Sequence, residues 1–333
     1  MYIKYKKPVA INCWASVAGK KEGEGPLADK FDETVADDYF GKDTWEKAET
    51  ELQSRCIGHL LHKKVIDAQD IDVVLGGDLT NQITSTSFAM RNFARPFVGL
   101  YNACSTMAEA LLMGACLVDG GFADNALCLA SSHFCTAERQ FRTPLDYGGK
   151  RTPTAQWTVT GCGSVLLESA GQNAFITSAQ IGRVVDLGVT DANNMGAAMA
   201  PAAADTIKRF LQESGTKAQE YDVIYTGDLG KVGSILLWQL LEKEKIVLSN
   251  HTDCGNVIFG EKQNVQSGAS GCGCGATVLA ADILPKIMAG ELNNILFVAT
   301  GALLSPSTTM QGESIPCIAH LVNIKSKKEV QKK

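Results

Sequence analysis

The chain has 333 residues, 31 basic against 36 acidic side chains, a formal net charge of -5 and 7% aromatic residues. That length can bury a sizeable core in one large domain or two ordinary ones. A slightly acidic, aromatic-poor chain lacks the clustered basic face of a nucleic-acid-binding protein, so that class is set aside. No basic segment followed by an apolar one opens the chain, and no uninterrupted apolar run reaches about 18 residues. The expectation is a soluble protein on the cytosolic side of any membrane. Eleven cysteines, an odd count scattered through predicted helices and strands, read as free thiols.

The first predicted strand covers residues 9–16, and a Gly/Lys/Glu-rich loop covers 19–26. An acidic stretch over 29–43 leads into a helix running to about residue 65. Asp43 with Glu46 forms its expected capping box, and Trp45, Ala48, Leu52, Cys56 and Leu60 form its apolar face. A short apolar run at 73–75, ending in Gly76-Gly77, predicts a strand buried on both faces. A short helix at 88–93 and the segment Asn102-Ala103-Cys104-Ser105-Thr106 follow, opening a buried helix over 107–118. Residues 126–130 predict a strand, and 158–168 a strand interrupted by Gly161 and Gly163. Beyond residue 179 come a helix at 204–213, a strand at 223–225 and a helix at 232–244. A run of small residues at 268–276 then opens a helix to about 288, and a strand follows at 295–299. Strands alternating with helices predict largely parallel sheets.

The chain repeats itself. Ala68-Gln69-Asp70-Ile71-Asp72-Val73-Val74-Leu75-Gly76-Gly77-Asp78-Leu79 recurs as Ala218-Gln219-Glu220-Tyr221-Asp222-Val223-Ile224-Tyr225-Thr226-Gly227-Asp228-Leu229. A second echo relates residues 121–130 to 290–299. Two echoes in one order, about half a chain apart, indicate a duplicated α/β unit with halves at 1–175 and 176–333.

Four local features could carry chemistry. Cys104 sits between a strand and a helix start, where backbone N–H groups and the macrodipole favour a thiolate; as a buried small hydrophobe it would be inert. His133, after a strand, is either a base or orienting group, or a hydrogen-bonded loop residue. Asp78 and Asp228 end the duplicated strands, where ligands gather in open parallel sheets and where loop capping equally places an aspartate. His251, Cys254, Cys272 and Cys274 match no common zinc spacing, and no Walker or dinucleotide motif is present, so neither a metal nor a resident cofactor is expected. Both ends are basic, with Lys4, Lys6 and Lys7 at one and Lys325, Lys327, Lys328, Lys332 and Lys333 at the other. Such ends suit an anionic membrane surface or a frayed, solvated terminus.

The duplicated halves, with Asn102-Ala103-Cys104-Ser105 opening a small-residue helix, resemble the thiolase and ketoacyl synthase superfamily. Within it, residues 7–12 through Ala130-Ser131-Ser132-His133-Phe134-Cys135-Thr136-Ala137-Glu138-Arg139-Gln140-Phe141-Arg142 resemble the stage V sporulation protein AD family. The resemblance implies a five-layered αβαβα fold of two pseudo-repeated halves, usually a homodimer, with Cys104 on the nucleophile's position. Condensing enzymes also use a second-half histidine and asparagine. The histidine's place falls in Thr226-Gly227-Asp228-Leu229-Gly230, which has none, and Asn264 is the candidate for the asparagine.

The family resemblance further implies binding of dipicolinic acid, pyridine-2,6-dicarboxylate, in company with calcium. It also implies membrane-embedded partner subunits of the same sporulation complex, at the spore inner membrane. On this reading the chain is no enzyme: Cys104, His133, Asp78, Asn81, Asp228 and Asn264 line a ligand site, with Arg139, Arg142, Arg151 and Lys231 as compensating cations. The alternative is an acyltransferase working through Cys104 and His133.

Overall fold

The computed structural model describes residues 1–141 and 151–332. In the first half the strands are β1 (Tyr2–Gly19), β2 (Glu33–Val35), β3 (Val73–Gly77), β4 (Phe97–Gly99), β5 (Asn125–Ser132), β6 (Trp157–Thr158) and β7 (Gly161–Glu168). Its helices are α1 (Trp45–Lys64), α2 (Thr84–Phe93), α3 (Thr106–Asp119) and α4 (Phe134–Phe141). The second half holds strands β8 (Ala174–Gln180), β9 (Val223–Thr226), β10 (His251–Asp253), β11 (Ala269–Ser270), β12 (Asn294–Ala302) and β13 (Cys317–Ser326). Its helices are α5 (Met195–Ser214), α6 (Gly230–Lys243), α7 (Cys254–Val257), α8 (Cys272–Val278), α9 (Leu284–Met288), α10 (Pro306–Met310) and α11 (Lys327–Gln331).

The strand order is a palindrome. From the seam outward the first half reads β1-β7-β5-β3-β4 and the second β8-β13-β12-β9-β10, while β1 and β8 pair antiparallel across the seam. The predicted duplication is therefore visible as two copies of one sheet topology. The sheets are mixed where the sequence suggested largely parallel ones. β4-β3-β5 and β10-β9-β12 are parallel, whereas β5/β7, β7/β1, β12/β13 and β13/β8 are antiparallel. Helices α2, α3 and α6 link strands within the parallel trios, and α1 and α5 carry the chain from β1 to β3 and from β8 to β9. β7 passes to β8 through a short turn, and β12 to β13 through one turn of helix, and such connections reverse the chain.

Three hydrophobic clusters give five layers. One core lies between the two half-sheets and contains Met107, Leu111 and Ala115 of α3 with Cys272, Ala276 and Val278 of α8. A second packs α1 and α2 on the outside of the first half through Leu52, Cys56, Leu60 and Met90. A third packs α5 and α6 on the outside of the second through Ile207, Phe210, Leu237 and Leu241. α3 contacts β5 and β1 on one side and β12 and β13 on the other, as a central-layer helix must.

Several element ends differ from expectation. β1 begins at Tyr2, so the basic N-terminal segment is a paired strand: Lys4 stands opposite Ser178, and the N–H groups of Lys6 and Lys7 donate to the Asp119 carboxylate. The cap of α1 is Thr44, whose hydroxyl accepts from Lys47 N–H, while Asp43 pairs with the Lys47 ammonium at 2.8 Å. α5 starts at Met195 and runs through Pro201. A proline forfeits one helical hydrogen bond, and the buried Ala198, Met199, Ala202 and Ala203 hold this helix to the sheet regardless. The last central helix changes to a π turn over residues 279–283 just before Pro285, which has no N–H to continue the regular ladder.

Small residues bring the halves together backbone to backbone. A Cβ on Gly163 of β7 would overlap the Ala276 carbonyl of α8. Gly163→Ala is accordingly expected to lower unfolding free energy by about 1–3 kcal/mol or more, as overpacking does, measured by urea denaturation. An unchanged midpoint would show that α8 can back away.

Candidate functional site

Cys104 lies in the 3-10 turn Ala103–Ser105, directly ahead of α3. The turn is tight: Ala103 has φ +49°, and the Ser105 hydroxyl donates to the Asn102 carbonyl at 2.8 Å. Gly301 of β12 sits so close above it that a side chain there would strike the Asn102 carbonyl. From the other half, α8 starts at Cys272, whose thiol donates to the Ala103 carbonyl at 2.9 Å. Asp228, just past β9, accepts from Gly271 N–H at 3.0 Å and from the Thr300 hydroxyl at 2.9 Å. It also hydrogen-bonds the Cys104 thiol and the Ser270 hydroxyl.

These neighbours set the protonation states. The Cys104 thiol is held well above its ordinary range, first by its hydrogen bond with Cys272, then by burial and by the Asp228 charge. Of the two readings of Cys104, a thiolate favoured by a helix start and an inert buried thiol, the structure has the second. The start of α8 does not favour a thiolate either, because its Gly271 N–H is given to the Asp228 carboxylate, whose charge opposes ionisation of Cys104. Burial raises Asp228 itself to about 6, against the lowering effect of its four donors.

Above Cys104 opens a cavity of about 220 Å³. The first half contributes Leu79, Tyr101, Ala137, Phe141, Gln156 and Thr158, and the second adds Ala192, Asn193, Met195, Ser270 and residues 302–305. The described lining includes no lysine, arginine or histidine. Its charged wall residue, Glu138, forms an ion pair with Arg151 at 2.9 Å. A two-residue parallel ladder, Trp157 opposite Ala269 and Thr158 opposite Ser270, ties the halves together beside the opening.

The residues singled out from sequence are divided by the structure. Cys104 lines the cavity floor, and Asp228 meets its thiol from beneath the lining. His133 does not join them: its Nε2 donates to the Asp38 carbonyl at 2.7 Å and its Nδ1 accepts from Cys135 N–H, so the ring anchors the 38–40 loop. Burial lowers its pKa, which keeps it neutral. Asp78 is enclosed below the lining, accepting from the N–H and hydroxyl groups of both Thr80 and Thr86. Beside it, burial and the Asp78 charge push the Glu49 carboxyl well above the usual carboxylate range. Asn81 is exposed in a different groove, with its N–H on Gln140 Oε1.

Asn264 is likewise elsewhere, in a polar groove with Lys231, Asn256 and Phe259, so it is not positioned as an oxyanion donor to Cys104. Arg139 pairs with Glu46, and Arg142 lies outside the described residues. His251 belongs to a hydrogen-bonded chain leading inward. Trp238 N–H donates to its Nδ1 at 3.0 Å, its Nε2 meets the Thr226 hydroxyl at 2.9 Å, and that hydroxyl donates to Asp253 at 2.5 Å. From sequence, Cys272 is weighed as a metal ligand or as part of a closely packed helix, and Tyr101, Gln156 and Thr158 are passed over, as is Ser270 as a site residue. Cys272 carries a signal all the same: it opens the second small-residue helix as Cys104 opens the first.

This arrangement, two pseudo-repeated halves with central helix starts meeting at a cysteine, is the thiolase-like fold. The chain superimposes on 3-oxoacyl-[acyl-carrier-protein] synthase III from Aquifex aeolicus VF5 with a TM-score of 0.59, covering 95% of this chain and 99% of that one at 13% identity. For a variant of OleA from Xanthomonas campestris the TM-score is 0.62, the coverage 97% and 99%, and the identity 11%. At such identities the likeness concerns the fold. In sequence, the chain is 44% identical over 317 residues to stage V sporulation protein AD of Bacillus subtilis (strain 168), covering 95% of this chain and 94% of that protein. The sequence profile of stage V sporulation protein AD matches residues 2–325, and the chain belongs to that family. Among the described residues no helix is long and apolar enough to cross a membrane.

The thiol environment makes a kinetic prediction. Peptide-resolved mass spectrometry should find iodoacetamide alkylation of Cys104 slow at neutral pH and still rising above about pH 9, the ordinary thiol range. Asp228→Asn, which removes the opposing charge, should shift that profile to lower pH. His133→Ala should leave the rate unchanged while costing about 1–3 kcal/mol of stability. A rate loss in the His133 variant would instead restore it as a base.

Proposed function

We propose that this chain is a binding protein for dipicolinic acid, held in the cavity above Cys104, within a sporulation complex that moves the compound into the developing spore. The observation carrying this reading is a thiolase-like cavity whose nucleophile position is disarmed. Cys104 is kept protonated by Asp228 and Cys272, and the described lining offers no histidine to take its proton. Acyl transfer needs an activated thiolate and oxyanion donors. Ligand binding needs only shape and satisfied polar contacts.

The cavity suits a small flat ring. Leu79, Phe141, Met195 and residues 302–304 supply apolar walls, and Tyr101, Thr158, Ser270 and Asn193 supply polar groups at its margins. Gln156 fixes the floor, with Nε2 donating to the Asp228 and Ala269 carbonyls at 2.7 Å each. Calcium, on this reading, travels with the ligand as cargo and is no resident cofactor. Membrane-embedded subunits at the spore inner membrane supply the passage, and this chain works peripherally to them as a homodimer. The exposed Phe88, Val98 and Tyr101 around edge strand β4 support a second copy on that side.

Isothermal titration should show saturable binding of dipicolinate that discriminates against benzoate and picolinate. Ala192→Trp, which places a large ring on a partly exposed stretch of the lining, should abolish binding without lowering the melting temperature. Absence of heat and of any melting shift at millimolar ligand would overturn the reading. A covalent acyl group trapped on Cys104 by a thioester would replace it with an acyltransferase.

A further inference from the structure

Strand pairing brings lysines that are far apart in the chain onto one surface. Lys4 of β1 stands opposite Ser178 of β8, and Ser178 stands opposite Asn323 of β13, two residues before Lys325. Side chains alternate between the two faces along a strand. Tyr2 packs on Phe210 of α5, and Leu321 belongs to the core beneath α5, so Lys4 and Lys325 both lie on that outer face of the sheet. They are two strands apart, about 10 Å across the sheet and about 7 Å along it. Lys6 and Lys7 continue the patch along the edge of β1 that β7 leaves unpaired, and Lys328 extends it into α11. Lys4, Lys6, Lys7 and Lys328 are exposed, and Lys325 is half-buried.

The acids nearby are already engaged. Asp119 accepts from the N–H groups of Lys6 and Lys7, Glu213 accepts from Tyr2 N–H and pairs with Arg209 at 3.3 Å, and Glu329 pairs with Lys332 at 2.7 Å. Among the described residues these five lysines form no ion pair, in a chain whose formal net charge is -5. Ammonium groups spread over a sheet face and its edge do not converge on one small anion. None of them is an arginine, whose planar fork grips single phosphates and base edges. An anionic bilayer engages spread lysines together, each by charge alone, within a Debye length of about 8–10 Å. We propose that the surface formed by Lys4, Lys6, Lys7, Lys325 and Lys328 is a docking face for an anionic lipid bilayer. It deepens the peripheral placement proposed above, rests on that placement, and is independent of what the cavity holds.

The test is co-sedimentation of the full chain with vesicles of phosphatidylcholine containing about 30% phosphatidylglycerol, and with pure phosphatidylcholine, in about 0.1 M and about 0.5 M salt. Retention is expected on the anionic vesicles at the lower salt and in no other arm. Lys4→Gln/Lys7→Gln/Lys325→Gln should lower it at least about tenfold, whereas Lys243→Gln/Lys245→Gln/Lys262→Gln, which removes the same charge elsewhere, should lower it less than about twofold. Should the first variant fail to fold, acetylation footprinting of the wild type decides: anionic vesicles should protect Lys4, Lys7 and Lys325 several-fold and leave Lys243 unchanged. No retention on anionic vesicles, retention unaffected by lipid charge or salt, equal losses in the two variants, or a footprint without protection at these lysines would each overturn the proposal. Retention on a DNA duplex but not on vesicles would overturn it in favour of a nucleic-acid partner. The dipicolinate titration tests the cavity separately, so failure of this docking face leaves that reading standing.

Discussion

The structure depends on backbone meeting backbone where the two halves join. Gly273 at the start of α8 lies against the Gly161 carbonyl and the Ser132 N–H, Gly163 lies against the Ala276 carbonyl, and Gly301 rests on the Asn102 carbonyl. Side chains at these points would wedge the halves apart. Their absence lets two helix starts approach closely enough for Cys104 and Cys272 to hydrogen-bond. Cavity position, thiol protonation and the short ladder between β6 and β11 all follow from that approach.

A helix start offers positive potential to whatever anion lies nearest. Here Asp228 takes the Gly271 N–H, and the cysteine thiol becomes a donor to that carboxylate. The polarity of the α8 start stabilises a buried acid. Function on this fold is decided by such local choices, while the layers around them stay the same.

The duplication was legible because its echo includes strand cores and the loops after them, and both must be retained for two copies of one topology. Cys104 was legible from the small-residue helix that follows it. The direction of its pKa was left open, because the group with the largest effect, Cys272, is remote in sequence. His133 misled because residues at strand ends serve sites and anchor loops alike, and only the bond to Asp38 distinguishes the two roles. Asn264 misled because glycine-rich loops leave alignment open; the structure puts it beside Lys231 and Phe259. Mixed strand direction was hidden because a short connection and a helical crossover look alike when helices are brief, as α10 is.

The cavity wall is shared, with Tyr101, Gln156 and Thr158 from one half and Asn193, Ser270 and residues 302–305 from the other. A molecule seated there touches both products of the ancestral duplication at once and acts as a removable staple across their seam. The repeats therefore cannot behave as independent modules in the manner of a solenoid. Binding there would couple occupancy to the cohesion of the two halves.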